Sequence, residues 1–193
     1  ADIRAAVSIG RAKGYELTSL VFPRNQVNYD YLPAIRAHGF TAYRGTEGHL
    51  LGRPHSGAGE SLLLRGSRLV DSMVSLTGAG TFPWGSTELQ QGLSDVRASR
   101  FLRPRTPVDI VNRLQFKRVE LGIAQAAQRN ELFHLWWHPH NFGSRADENL
   151  EALRQLLRIV SEHRDRSGFQ SLSMREVASI AAGSHRSSKR VGA

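Results

Sequence analysis

His134-Leu135-Trp136-Trp137-His138-Pro139-His140-Asn141-Phe142, followed by Gly143, decides how this chain is read. The run holds three of the eight histidines and two of the three tryptophans. An apolar, aromatic stretch that ends in His-Pro-His reads as a buried strand, 132–138, delivering imidazoles to the rim of a pocket. Histidine titrates near neutrality, so it serves readily there as acid, base or metal ligand. A lone histidine more often fills a core and hydrogen-bonds to backbone. Clustering at one strand end favours function instead, because strand-end loops carry the chemistry of α/β folds.

Outward from this run, helices and strands alternate. On the C-terminal side, Ser144 and Asp147 read as a capping box for a helix through Leu150, Leu153, Leu156, Leu157 and Val160, ending at Gly168. A short strand is expected over 169–172. Ser173 and Glu176 form a second capping box, for a helix over 174–182. On the N-terminal side, Thr106 is the expected cap and Pro107 the first residue of a long helix carrying Val108, Val111, Leu114, Val119 and Ile123.

Further upstream the same alternation holds. Residues 2–13 read as a helix stopped by Gly14, 17–22 as a strand, 29–38 as a helix with Pro33 in its first turn, and 40–43 as a strand. A Gly-rich loop over 46–59, a helix over 61–76, a loop over 77–92 and a strand over 96–102 complete the pass. Such alternation implies parallel strands covered by helices, hence an α/β fold.

Spacing tests the metal question. His134 and His138 have the i, i+4 interval that binds zinc on a helix, but the tryptophans between them favour a strand. Four strand residues span about 13 Å, too far to share one ion. His138 and His140 can meet on one side, about 6.6 Å apart before Pro139 bends the geometry. No third ligand stands nearby in sequence.

Composition bounds the rest. A chain of 193 residues, 40% hydrophobic, can bury one core. It is expected to form one domain over 1–183 and a flexible basic tail over 184–193. No apolar run approaches the roughly 20 residues that cross a bilayer, and no signal peptide opens the chain. The absence of cysteine excludes disulfides and thiolate metal sites. No nucleophile elbow, phosphate-binding loop or dinucleotide fingerprint is present. Because the chain opens at Ala1 in apparent mid-helix, it reads as the C-terminal part of something longer.

The net charge is +9, from 26 basic and 17 acidic residues. Between Val96 and Arg118 lie Arg97, Arg100, Arg103, Arg105, Arg113, Lys117 and Arg118, against one acid, Asp109. One reading is a solvated face. The other is a contact for anionic lipid or a phosphorylated substrate, through Arg97, Arg100, Arg103 and Arg105. No nucleic-acid motif accompanies the charge, so that partner is not expected.

Three separated motifs carry a family resemblance. Leu20-Val21-Phe22-Pro23-Arg24-Asn25-Gln26, with Gly39-Phe40-Thr41-Ala42-Tyr43-Arg44-Gly45, resembles the middle of bacterial polysaccharide deacetylases. Leu135-Trp136-Trp137-His138-Pro139-His140-Asn141-Phe142-Gly143 resembles the last catalytic motif of that family. Ser171-Leu172-Ser173-Met174-Arg175-Glu176-Val177-Ala178 resembles its C-terminal end.

The resemblance implies an incomplete, distorted (β/α) barrel and metal-assisted hydrolysis of an N-acetyl group on a sugar. His138 would be the general acid that protonates the leaving amine. Arg24 would orient a catalytic carboxylate. Trp136, Trp137, His140 and Asn25 would contact the saccharide. The family's Asp-Asp and His-x-x-x-His motifs, which hold a zinc-like divalent ion, have no counterpart here. The metal is therefore expected in a full-length parent, with no ligand in this chain, and the missing N-terminal part of the same domain becomes an expected partner. Surface-polysaccharide assembly in the cytoplasm, or at the periphery of the cytoplasmic membrane, fits the tryptophan-rich motif. The alternative function is a catalytically degenerate saccharide-binding or membrane-associated module.

Overall fold

The computed structural model describes residues 2–46, 78–87 and 89–191, with side chains to residue 183. The expected loop over 46–59, apart from Thr46, and the helix over 61–76 lie outside the described residues. The chain forms two compact units. The first comprises Ala1–Thr46, Trp84–Arg97 and Leu172–Ala193; the second comprises Glu47–Pro83 and Ala98–Ser171.

Unit 1 is built on a four-stranded sheet in the order β1-β2-β4-β3. Strands β1 (Ser19–Leu20), β2 (Ala42–Gly45) and β4 (Leu93–Arg97) run parallel, as the alternation implied. Strand β3 (Leu89–Gln90), inside a segment read as loop, departs from that pattern by pairing antiparallel to β4. Gln91 and Gly92 join them at φ 51° and 84°. Two consecutive positive φ angles match the right-handed twist of a tight hairpin, which explains how so short a strand forms.

Every residue of the central strand β2 is buried. Its Tyr43 joins Phe22, Leu32, Ile35, Phe40 and Leu93 in the core of this unit. Helix α1 (Asp2–Ala12) adds Ile3 and Val7 to that core and ends before Gly14, at φ 79°. The expected helix over 29–38 divides into a 3-10 turn, Tyr29–Tyr31, and α2, Leu32–Ala37, with Pro33 in its first turn. The helix at the C-terminal end, here called α5 (Met174–Val191), runs nine residues past its expected stop at 182 and packs on β2 and β4. Its capping box is present: Ser173 N–H and Oγ–H both donate to Glu176 Oε2, at 2.7 and 2.8 Å.

Unit 2 pairs β5 (Arg100–Phe101) in parallel with β6 (Leu135–Trp136). Helices α3 (Asp109–Arg129) and α4 (Ala146–Ser167) pack together over Val119, Ile123 and Leu156. Helix α3 ends on Asn130 and α4 on Gly168, both left-handed, as is usual where a helix stops.

Several boundaries differ from expectation for identifiable reasons. The strand expected over 96–102 breaks at Ala98-Ser99. Ser99 N–H donates to the His134 carbonyl, and His134 N–H donates to Ser99 Oγ, which redirects the chain toward β6. The aromatic strand expected over 132–138 narrows to Leu135–Trp136, because β5 offers only two residues to pair with. Leu132 makes a separate bridge to Phe82.

Two expected helix caps are replaced. Thr106 and Pro107 stay outside α3, whose flanking residue is Val108. Asn112 clamps Thr106 instead, accepting from its N–H and donating to its carbonyl at 2.8 Å each. Ser144 and Asp147 form no box; Arg145 precedes α4 at φ 58°, and Asn149 ties Ser144 O to Arg105 N–H. The strand expected over 169–172 is absent, since Phe169 is drawn into the core of unit 2. The fold is thus mixed α/β with a mostly parallel sheet and helices. Among the described residues no barrel closes.

Candidate functional site

The histidine run of unit 2 leaves β6 at its C-terminal end and enters a 3-10 turn, Pro139–Phe142. Successive strand residues point to opposite faces, so Trp136 and Trp137 diverge. Trp136 is half-buried and tilts against Phe101 of β5, ring centroids 4.5 Å apart. Trp137 is 39% exposed and lies near Phe142.

His138 continues the Trp136 side. Its ring stands edge-on to Trp136 at 5.4 Å and 5.8 Å from Phe101. Pro139 starts the turn and brings His140 round, so that the two imidazoles stack at 5.1 Å with 19° between their planes. The expected meeting of His138 and His140 on one side therefore occurs. Both residues are exposed. The result is an aromatic base, Phe101 and Trp136, with an imidazole pair laid on it and open to solvent. His134 is apart from this group: it is half-buried, and its backbone belongs to the Ser99 clamp.

Arg24 and Asn25 sit in unit 1, on the 3-10 turn after β1. Both have left-handed backbone, at φ 53° and 59°. Asparagine tolerates this region; arginine does so at a cost of about 1–2 kcal/mol. Arg44, 9% exposed at the end of β2, donates from Nε to Asn25 Oδ1 at 2.9 Å. Arg24 itself is exposed. The two arginines thus have opposite environments, one buried and holding the loop, the other presented by it.

Sequence reasoning overlooked Arg44 and its neighbours Tyr43 and Asp95. Tyr43 is fully buried, and Asp95 faces it across the β2–β4 ladder. Burial, then the Asp95 charge, pushes the Tyr43 phenol well above the ordinary tyrosine range, so it keeps its proton. The Asp95 carboxylate occupies the space that a Cβ on Gly45 would need. The available signal was the charged pair, Asp95 and Arg97, within an otherwise buried strand.

The basic stretch divides between the two units. Arg97 belongs to unit 1; Arg100, Arg103 and Arg105 belong to unit 2. Arg103 is exposed, Arg97, Arg100 and Arg105 are half-buried, and Arg118 is buried at 3% exposure. Lys117 pairs with Glu120 at 3.0 Å.

Among the described residues, no three His, Asp or Glu side chains converge as metal ligands. These residues do not fit the ion that the resemblance implies, so no chemical step is assigned to it here. Among the described residues, no helix is long and apolar enough to cross a membrane. No family model, no curated protein and no solved structure matches the chain.

Proposed function

We propose that this chain acts on a saccharide, as part of a carbohydrate N-deacetylase, with His138 as the proton donor to the leaving amine. The observation that supports it most is the exposed His138 ring, held between Trp136 and His140 at the end of a parallel strand. A proton donor must be fixed yet reachable, and an aromatic bed beside it suits a sugar ring. Trp136, Trp137 and His140 then contact the saccharide. In unit 1, Arg24 and Asn25 are the residues that the resemblance assigns to the chemistry, Arg24 through its presented guanidinium.

The exposed Arg103 extends this reading to an anionic partner, the phosphate of a lipid-linked saccharide or an acidic membrane surface at the cytoplasmic face. A second reading, a saccharide-binding module without turnover, draws on the exposed Trp137 face, which binding alone would use.

Steady-state kinetics of the full parent enzyme on an N-acetylglucosamine oligomer separate the two. His138→Ala should lower kcat about 10²- to 10⁴-fold with little change in KM. His140→Ala should be milder, and His134→Ala should act on stability. Unchanged kcat in His138→Ala, with substrate affinity lost, would favour the binding module.

A further inference from the structure

Asn149 stands where the apolar pattern of α4 asks for a leucine. Positions 149, 153, 156 and 160 follow the spacing of one helix face, and the last three are Leu153, Leu156 and Val160. Leu156 is buried where α3 and α4 meet, with Val160 packed against that core. Asn149 is just as deeply buried, at 3% exposure. A buried amide is costly unless its polar atoms find partners, so its place there needs a reason.

The reason lies in what its side chain joins. Oδ1 accepts from the Arg105 N–H at 2.6 Å. Nδ2 donates to the Ser144 carbonyl at 2.7 Å and, at a longer 3.4 Å, to the Phe142 carbonyl. Arg105 belongs to the segment after β5, whose Phe101 ring lies against Trp136 and His138. Phe142 ends the turn that carries His140. One amide thus ties together the two stretches that supply the rings around His138, and all of these residues belong to unit 2.

Other bonds leave this task to it. The β5–β6 pairing closes with Leu102 N–H on the Trp136 carbonyl at 2.8 Å, before His138 is reached. Within the turn, Asn141 N–H donates to the His138 carbonyl and Gly143 N–H to the His140 carbonyl, at 3.0 and 3.2 Å. These bonds set the shape of the turn, not its place against β5. Asn112 of α3, 4% exposed, grips Thr106 in the same way, so the anchor at residues 105 and 106 is held from both packed helices.

We propose that Asn149 is the positioning residue of the proton donor. It holds the turn Pro139–Phe142 to the segment after β5, and so keeps the His140 ring stacked on His138. That stack keeps the His138 imidazole edge-on to Trp136. The proposal rests on the reading of His138 as proton donor, but the ring geometry can be tested apart from it.

The first test is the imidazole proton spectrum of the whole chain at fixed pH, where the surrounding rings displace the His138 and His140 signals from those of free histidine. Asn149→Ala should lose that displacement. Asn149→Asp keeps the acceptor for Arg105 N–H but sets a carboxylate against two carbonyls, and should lose it too. Val160→Ala loosens the same face of α4 far from the turn, and should leave both signals in place. The second test is kinetics of the parent enzyme, since a misplacement of about 1 Å can cost about 10²-fold in rate. Asn149→Ala should lower kcat about tenfold to 10²-fold with KM within about twofold, and should add nothing to His138→Ala, through which it acts. Signals unmoved in both Asn149 variants would overturn the proposal, as would equal movement in Val160→Ala or a full additional loss in the double variant. Unchanged kcat in His138→Ala would sink the deacetylase reading alone, and the imidazole signals would still decide whether Asn149 sets the ring geometry.

Discussion

Arg44 donates its Nε–H to Asn25 Oδ1 at 2.9 Å, and this one bond ties the end of β2 to the turn after β1. The turn needs a tie, because Arg24 and Asn25 both hold left-handed backbone.

Variants at Asn25 separate the bond from the backbone. Asn25→Ala should lose about 2 kcal/mol, combining αL strain with the loss of a hydrogen bond to a nearly buried guanidinium. Asn25→Gly keeps the backbone and loses the bond, so about half that loss is expected. Asn25→Asp should stay near the native value, since a carboxylate accepts the same hydrogen. Urea unfolding measures all three. A glycine variant as stable as the native chain would show that the Arg44 bond contributes nothing.

Tyr43 predicts an alkaline limit. Its pKa is raised in the folded chain, by burial first and by Asp95 second, from an ordinary value of 10.0. Above that ordinary value the unfolded chain loses a proton that the folded chain retains. Stability from this group is therefore complete below pH 10 and declines as pH rises toward the folded pKa. Tyr43→Phe should flatten the decline above pH 10, whatever it does to stability at pH 7. An unchanged slope would remove Tyr43 as its source.

Gly122 in α3 opposes two effects. Alanine should gain about 1 kcal/mol of helix propensity at an interior glycine. Yet a Cβ there would run into the Phe133 ring, and overpacking costs about 1–3 kcal/mol. The clash should win, leaving Gly122→Ala destabilised by about 1 kcal/mol. Adding Phe133→Leu should recover part of the loss. Thermal melts of the single and double variants give the sign.

Of Arg97, Arg100, Arg103 and Arg105, Arg103 is the exposed one, and it tests the anionic-partner proposal. Arg103→Gln should reduce recovery of the chain on acidic liposomes at low salt, each such charge being worth about 1 kcal/mol near the surface. Neutral liposomes and high salt should abolish the difference. The basic segment 184–193 must be removed from both proteins, since it could mask the effect. Equal co-sedimentation of the two would leave Arg103 as a solvated side chain.

Much of this architecture was legible because it rests on periodicity and punctuation. The helices now seen at α1, α3, α4 and α5 were marked by apolar spacing and by Gly14, Gly168 and the Ser173–Glu176 pair. Errors arose where a side chain acts on distant backbone. Asn112 and Asn149 took over the work that Thr106 and Ser144 seemed suited to, through bonds that no local pattern encodes. The stacking of His138 on His140 followed from strand geometry and a proline. The Asn25–Arg44 bond spans 19 residues of chain, and local reading could not pair them.

Unit 1 is assembled from three stretches, the last being Leu172–Ala193, while unit 2 occupies the sequence between them. Helix α5 covers β2 and β4, so those strands cannot be shielded until the residues after Leu172 have left the ribosome. During synthesis unit 2 has all its residues first, and the sheet of unit 1 waits with one face bare. Such late, long-range closure is slow and exposes strand surface to aggregation. Shortening the chain ahead of Leu172 would therefore strike hardest at the strands near its beginning, far from the cut in sequence.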